Sequence, residues 1–322
     1  MSTQPTTNED WTTHVLNIHG TFFERRCQQV IVRAKEWRIQ STNYPVEFPA
    51  TGHGKASNLD IWAERYLAKH ALQLLVECKK NNPEYVDWIF FPTSPHRSIK
   101  TTVRVLESRF VTFRTQGNNP YIPFPRLQEL RTDLVIADKV RETKGNYLSK
   151  IKKDQQLTRT SNTAITEAAT QIALATQAIL YQEEQTLKKY FQRNPVNHPV
   201  SLPPVFLPVI VTTANLFTCD FQDVDVDLAT GEIPFEKVVL QSHSCLLYDY
   251  PVPHALQRDP EEMGMQYSRE SLEEQARMSI IVVQSASFPT LLVRLSSFAV
   301  REDGVMSFSL KSGEATETME AQ

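Results

Sequence analysis

The chain has 322 residues, of which 41% are hydrophobic, and a formal net charge of −3. That length and composition can bury a substantial core in one large domain or two. No apolar stretch approaches the ~20 residues that cross a bilayer, and the first ten residues lack the basic-then-apolar order of a signal peptide. The four cysteines are scattered, without a Cys-x-x-Cys pair or zinc spacing. We therefore expect a cytoplasmic protein with reduced thiols and no membrane association.

The first ninety residues predict a helix followed by strands. Helical spacing of apolar residues covers about residues 9 to 35, with an interruption near Gly20. The next segment, residues 38 to 48, alternates loosely and predicts the first strand. Apolar runs predict three further strands, at residues 57–63, 71–79 and 86–91. A turn between residues 63 and 71 would bring the second and third strands side by side.

Two carboxylates and a lysine accompany these apolar runs. Glu77 and Lys79 end the third strand, and Asp60 lies on the second. Because side chains alternate along a strand, Glu77 and Lys79 share one face, while Cys78 packs on the other. The carboxylates of Asp60 and Glu77, with the backbone carbonyl of Cys78, are the oxygen ligands that Mg²⁺ prefers. With Lys79 to orient a water and stabilise charge at phosphorus, the pattern predicts a metal site for phosphodiester hydrolysis.

Residues 58–60 (Asn-Leu-Asp) and 77–79 (Glu-Cys-Lys) resemble the motif of the PD-(D/E)xK nuclease superfamily. That motif is an Asp on one strand and Glu-x-Lys on the next; the proline that usually precedes the Asp is absent here. Residues 20–24 are similar to the opening of the superfamily's first core helix, where a Glu often supports the metal, so Glu24 is a further metal candidate. Residues 88–91 resemble the apolar strand that often follows Glu-x-Lys.

This resemblance implies an α/β, restriction endonuclease-like fold, with a mixed β-sheet core flanked by helices. It also implies a deoxyribonuclease that depends on Mg²⁺ or Mn²⁺ and cuts DNA internally, as in restriction or phage defence. Asp60, Glu77 and Lys79 would be its catalytic residues. Asp60, Glu77, Cys78 and Glu24 would be its metal ligands.

The net charge conceals an uneven distribution along the chain. Residues 97–159 contain 14 Lys and Arg against 6 Asp and Glu, whereas residues 220–322 contain 7 against 18. Basic side chains that neutralise phosphates supply most non-specific affinity for nucleic acid. We therefore expect the basic segment to follow the DNA backbone, although a solvated basic face would show the same count. The expected contacts are Arg97, Lys100, Arg104, Arg109 and Arg114.

The rest of the chain predicts a loop, a long helix and two buried strands. Prolines and asparagines make residues 115–126 a predicted loop. Alanine-rich helical spacing over residues 161–192 predicts a long helix that packs on the core or pairs two subunits in a homodimer. Apolar runs at residues 209–211 and 279–283 predict strands inside a mixed sheet with helices on both faces. A helix through residues 291–295 should follow.

These elements predict four parts along the chain. Residues 1–92 would be the N-terminal part of a nuclease core, and residues 93–203 a basic and helical insertion. Residues 204–310 would complete the core with strands and a helix. Residues 311–322, which are polar and acidic, would form a disordered tail.

Three other interpretations remain open from the sequence. Glu77 and Lys79 could form an ion pair on an exposed face, with Asp60 at a solvated strand end. The same fold could carry an inactive site and only bind nucleic acid or a partner. The chain could also be an interaction scaffold assembled through its long helix, without affinity for DNA.

Overall fold

The computed structural model describes the chain in separate stretches, and for residues 102–112 and 121–131 it describes the backbone alone. The described residues are 20–46, 57–67, 71–81, 86–93, 102–112, 121–131, 134–143, 164–193, 204–254, 257, 276–295, 299–300 and 306–307. Within them, fourteen strands form one mixed sheet, flanked by three α-helices. The predicted acidic tail lies outside the described residues.

The N-terminal part is a helix followed by an antiparallel meander. Helix α1 (Thr21–Arg33) leads into strands β1 (Arg38–Val46), β2 (Ser57–Tyr66) and β3 (Ala71–Lys79). β2 pairs with β1 on one edge and with β3 on the other, both antiparallel. The chain turns back between β2 and β3 as the sequence predicts, and β3 carries Glu-x-Lys at its end.

A long segment then separates β3 from the strand that pairs with its other edge. It contains β4 (Asp87–Pro92), β5 (Thr102–Thr112), β6 (Tyr121–Arg131), β7 (Ile136–Thr143) and helix α2 (Ala164–Arg193). Strand β8 (Pro204–Thr212) follows and pairs parallel with β3 along its whole length. Parallel neighbours need a crossover connection, and α2 lies within the one used here.

The C-terminal part adds strands on both sides of this core. Its elements are β9 (Asn215–Asp220), β10 (Val239–His243), β11 (Cys245–Pro251), β12 (Arg277–Gln284), helix α3 (Phe288–Leu295), β13 (Ala299–Val300) and β14 (Met306–Ser307). Three single-turn 3₁₀ helices lie at Asp223–Asp225, Phe235–Lys237 and Ser285–Ser287.

One path through the sheet follows ten strands, in the order β1-β2-β3-β8-β12-β11-β7-β4-β9-β10. β8 lies near its centre, and all nine of its residues are buried, as expected of a strand covered on both faces. Two strands share the edge of β8 that lies opposite β3. The C-terminal half of this edge pairs with β12 and the N-terminal half with β5. From β5 the sheet continues through β6, β14 and β13. The predicted mixed α/β class is confirmed.

The two faces of the sheet have different covers. Helices α1 and α3 pack on one face, together with Val76 and Cys78 of β3. Helix α2 packs on the other face, over Leu75 and the neighbouring strands. Its apolar stripe of isoleucines and alanines is fully buried there, and burial of each isoleucine stabilises the fold by about 1.5–3 kcal/mol. The predicted long helix is confirmed, and it packs on the core of its own chain; the homodimer stays a prediction.

None of the helices in the described stretches combines the length and the apolar character needed to span a membrane.

The predicted loop over residues 115–126 is wrong in its second half, because β6 begins at Tyr121 and includes Pro123 and Pro125. Proline has no N–H to donate and is therefore confined to strand edges. The two prolines are two residues apart in the strand, so their backbone nitrogens face the same edge of β6. β6 pairs with β5 along its length but with β14 only at residues 130 and 131. The prolines thus fit the edge that β14 leaves unpaired.

Candidate active site

Strands β2 and β3 part at the level of Asp60 and Glu77. Their last backbone pair joins Ile61 to Val76, and β2 continues beside β1 alone. On β1, Asn43 lies between the pairing partners of residues 59 and 61 and has a positive φ of 51°. Where the strands separate, Asp60 Oδ2 accepts a hydrogen bond of 2.7 Å from the backbone N–H of Cys78. This bond holds the Asp60 carboxylate against the Glu-x-Lys segment.

Glu77 and Lys79 lie on the face of the sheet that α2 covers. Lys79 Nζ is 3.0 Å from Glu77 Oε1. The Glu77 side chain is 2% exposed and the Lys79 side chain 21% exposed, so the pair is buried at its acidic end and open at its basic end. Cys78 packs on the opposite face among α1 and α3. The alternation that the sequence predicts is therefore confirmed: Glu77 and Lys79 lie on one face of the sheet and Cys78 lies on the other.

Glu77 is only half satisfied. Its Oε1 faces Lys79, whereas its Oε2 is buried and has no hydrogen-bond partner among the described residues. Burial, and then the nearby charge of Asp60, raises the pKa of Glu77 to about 8, although Lys79 and a hydrogen bond from the Asp60 backbone N–H oppose this shift. A buried polar atom without a partner costs free energy and calls for an explanation. A proton or a bound cation would satisfy this oxygen.

Asp60 and Glu24 share this electrostatic environment. Burial raises the pKa of Asp60, against the opposing effects of the Cys78 N–H and of Lys79. Burial also raises the pKa of Glu24, followed by the charge of Asp60, while Lys79 lowers it. Glu24 is thus close enough to Asp60 and Lys79 for their charges to interact, while its role at a metal stays a prediction.

The start of α1 depends on Gly20. The backbone N–H of Glu24 donates to the Gly20 carbonyl at 3.0 Å, which closes the first helical turn. Gly20 has a φ of 69°, a conformation that residues with a Cβ rarely adopt. A Cβ built there would lie 4.0 Å from Lys80 Cβ and 3.7 Å from Glu24 Oε1, which is ordinary contact. The glycine is therefore required by backbone conformation rather than by space.

A residue that the sequence did not single out also reaches the site. Gln171 of α2 accepts a hydrogen bond of 2.8 Å from Lys79 Nζ through its Oε1. The two residues are 92 positions apart in sequence. On an alanine-rich helix the apolar periodicity identifies the buried stripe, but nothing in it distinguishes Gln171 from the other glutamines. Only the fold, which lays α2 over the end of β3, identifies this contact.

The expected DNA contacts are only partly described. Arg97, Lys100 and Arg114 lie outside the described residues. Arg104 and Arg109 are on β5, whose backbone pairs with β8 at residues 205 and 206. Glu77 and Lys79 lie opposite the other end of β8, at residues 210 and 212. Strand β5 therefore pairs with the same central strand as β3, which carries Glu77 and Lys79, but at its N-terminal half.

The acidic residues offer a cation two carboxylates. Across the described stretches, no group of three or more His, Cys, Asp and Glu is arranged to hold a metal ion. Mg²⁺, however, is usually bound by one or two carboxylates, with waters and substrate phosphates completing its shell. Asp60 and Glu77 could supply those carboxylates, because Glu77 Oε2 has no hydrogen-bond partner among the described residues. A contribution from Glu24 or from the Cys78 carbonyl stays a prediction.

Comparison of the chain with protein-family models, with curated proteins and with solved structures gave no match. The function proposed for this site therefore rests on the chemistry of its side chains.

Proposed function

We propose that the protein is a Mg²⁺- or Mn²⁺-dependent endonuclease that hydrolyses phosphodiester bonds of DNA. One observation carries the proposal. A buried glutamate, Glu77, has one oxygen paired with Lys79 and the other oxygen without a hydrogen-bond partner among the described residues, beside a second carboxylate, Asp60. This arrangement suits a cation and a phosphate group. It matches the Asp and Glu-x-Lys pattern that the sequence shares with PD-(D/E)xK nucleases.

Each side chain has a distinct role in this proposal. Asp60 and Glu77 would hold the cation, with Glu24 supporting it directly or through a water. When bound, the cation polarises a phosphoryl oxygen and acidifies a coordinated water. Lys79 would orient the attacking water and stabilise the negative charge that develops at phosphorus. The positive charge of Lys79 is accessible for this purpose, since its side chain is the more exposed member of the pair.

The burial of Glu77 favours this function over an exposed ion pair. A buried ion pair loses hydration, and its attraction offsets that loss only when the remaining polar atoms are also satisfied. Glu77 Oε2 is not satisfied in the described part of the molecule. An ion pair that only solvated the surface would avoid this cost by staying exposed. Perturbed, desolvated carboxylates beside a specific charge partner are typical of functional sites.

DNA is the substrate that the charge distribution favours. The segment with 14 basic against 6 acidic residues contains β5, which joins the central strand β8. Its basic side chains would bind phosphates irrespective of sequence. An endonuclease of this kind would act in restriction or phage defence, as the resemblance implies.

A second candidate function is binding without cleavage, on the same fold. It is favoured by the lack of a three-residue metal group in the described part of the chain. Such a protein would bind DNA, or a partner protein, while Asp60, Glu77 and Lys79 served only the structure.

A plasmid-nicking assay separates these functions. Purified full-length protein is incubated with supercoiled plasmid and Mg²⁺, Mn²⁺ or a chelator, with the Lys79→Ala variant, purified in parallel, as the control for contaminating nucleases. We expect open-circular and linear products with either metal, none with chelator, and none with the variant. A protein that retards DNA without cutting it would support the second candidate. A protein that does neither would support an interaction role.

A further inference from the structure

The ammonium group of Lys79 is held by two oxygen acceptors from different elements, one from a carboxylate and one from an amide. A lysine ammonium has three N–H donors and no acceptor. In the described stretches, one donor faces Glu77 Oε1 at 3.0 Å and another faces Gln171 Oε1 at 2.8 Å. The first acceptor comes from the same strand as Lys79 and the second from the helix above. Together they fix the direction in which the third N–H points.

Helix α2 presents Gln171 rigidly. Glu142 of β7 is buried, and its Oε1 accepts the backbone N–H of Ile165 at 3.2 Å in the first turn of α2. Thr170 Oγ1 lies 2.8 Å from the Tyr250 hydroxyl of β11. Ile172, the residue after Gln171, is fully buried against the sheet. The helix is therefore anchored on both sides of Gln171.

An amide suits this position better than a fourth carboxylate. Asp60 already raises the pKa of both Glu24 and Glu77, and burial raises the pKa of all three carboxyl groups. A neutral acceptor takes up an N–H without adding negative charge beside them. It also restrains a flexible four-carbon side chain that would otherwise adopt several rotamers.

We propose that Gln171 is a positioning residue that holds Lys79 Nζ toward the scissile phosphate. This role rests on the proposed nuclease function. Gln171 would not touch the substrate; it would act through Lys79, by restricting the ammonium to one orientation. A residue that holds a functional group in place through a hydrogen bond typically contributes about 10- to 100-fold to activity.

The first test measures the restraint itself, without any cleavage. The Gln171→Met variant keeps the length of the side chain but loses the oxygen, whereas Gln171→Glu keeps an acceptor. Gln177→Met is the matched control, because Gln177 lies on the same helix and its buried Oε1 has no partner among the described residues. Modification of Lys79 by an amine-reactive reagent, relative to the adjacent Lys80, is followed by mass spectrometry. We expect roughly tenfold faster modification in Gln171→Met, and the wild-type rate in Gln177→Met.

The second test measures cleavage by the same variants. We expect kcat to fall about 10- to 100-fold in Gln171→Met, with KM and the Mg²⁺ concentration for half-maximal rate unchanged. A general structural defect would instead lower the unfolding temperature or alter KM. Slow Lys79 modification should return in Gln171→Glu, because that variant restores the acceptor.

The outcomes separate this inference from the proposed function. Unchanged Lys79 modification in Gln171→Met would overturn the restraint, and faster modification with unchanged kcat would overturn its role in the reaction. If wild-type protein does not cleave DNA, the nuclease proposal fails, while faster modification in Gln171→Met would still support the positioning of Lys79.

Discussion

Two ion pairs of the same sheet illustrate how differently a carboxylate can be placed. Glu77 and Lys79 are 3.0 Å apart at the end of β3, and Asp249 and Arg277 are 2.8 Å apart across β11 and β12. Asp249 is 15% exposed and Arg277 29% exposed, so water reaches both members of that pair. Glu77 is 2% exposed and keeps an unpaired buried oxygen in the described structure.

The difference indicates what each pair does. A partly exposed ion pair between two strands costs little to form, and it stabilises the fold by only about 0–1 kcal/mol. A buried carboxylate with one oxygen unsatisfied is unfavourable, and folding tolerates it only because the surrounding sheet is strongly stabilised by apolar burial. We interpret the Asp249–Arg277 pair as part of the structure and the Glu77–Lys79 pair as a site. The Asp249–Arg277 pair is therefore a control for every experiment on Glu77 and Lys79.

The largest expected difference between the two pairs is in catalysis. Glu77→Ala and Lys79→Ala should each lower the rate of DNA cleavage by at least about 10³-fold, because each removes a group that acts on the cation or the phosphate. Asp249→Ala and Arg277→Ala should stay within about twofold of wild type. Initial rates of plasmid cleavage measure this difference. Full activity in either site variant would exclude the proposed mechanism.

The next difference concerns stability and pH in metal-free buffer. Glu77 has a pKa of about 8 in the folded protein against 4.5 as its ordinary value, so the folded state holds a proton that the unfolded state releases between these pH values. Its contribution to the free energy of unfolding is therefore fully present below about pH 4.5 and lost as pH rises to about 8. Glu77→Gln should remove this loss, which is on the order of 3 kcal/mol. Denaturant titrations at pH 5 and pH 8 measure it.

If the free energy of unfolding changes equally with pH in Glu77→Gln and in wild type, the proposed difference between the two ion pairs is contradicted. Asp249→Asn serves as the control. Its free energy of unfolding should differ from wild type by about 1 kcal/mol or less at both pH values, since that ion pair is partly exposed.

A smaller effect is expected at Glu24, which lies beside the site but is not part of the Glu77–Lys79 ion pair. Glu24→Gln should raise the Mg²⁺ concentration for half-maximal cleavage about 10- to 100-fold, with activity recovered at saturating metal. The exposed Gln29 of the same helix provides the control, as Gln29→Ala should leave the titration unchanged. An unchanged titration for Glu24→Gln would assign Glu24 to the surface rather than the site.

The smallest effect per residue is expected in the basic segment. Reversal of Arg104 and Arg109 to Glu should weaken DNA binding equally for different sequences and flatten its salt dependence by about two units of slope. Reversal of Lys189 and Arg193, which are exposed on α2, matches this change in charge. Fluorescence anisotropy at several salt concentrations compares the two variants. Equal behaviour of both would show that β5 carries no special contact.

The sequence predicts well where one element determines the answer. The apolar run at residues 209–211 predicts a buried strand, which in the structure is the C-terminal half of β8, and the alternation Glu77-Cys78-Lys79 predicts which side chains share a face. It predicts poorly where two elements must meet. Pro123 and Pro125 suggest a loop, because the sequence does not show that one edge of β6 is unpaired. The bond from Lys79 to Gln171 needs α2 to cross β3, and no periodicity contains that information.

Binding of a divalent cation tests the central claim most directly, because it needs no substrate. Isothermal titration with Mn²⁺ is carried out on metal-free wild type, Glu77→Gln and Asp249→Asn at pH 8, where about half of Glu77 is already ionised before the cation binds. We predict that wild type and Asp249→Asn bind with the same affinity and that Glu77→Gln binds at least about 100-fold more weakly. Equal binding by wild type and Glu77→Gln, or no binding by wild type, would contradict a cation site at Asp60 and Glu77.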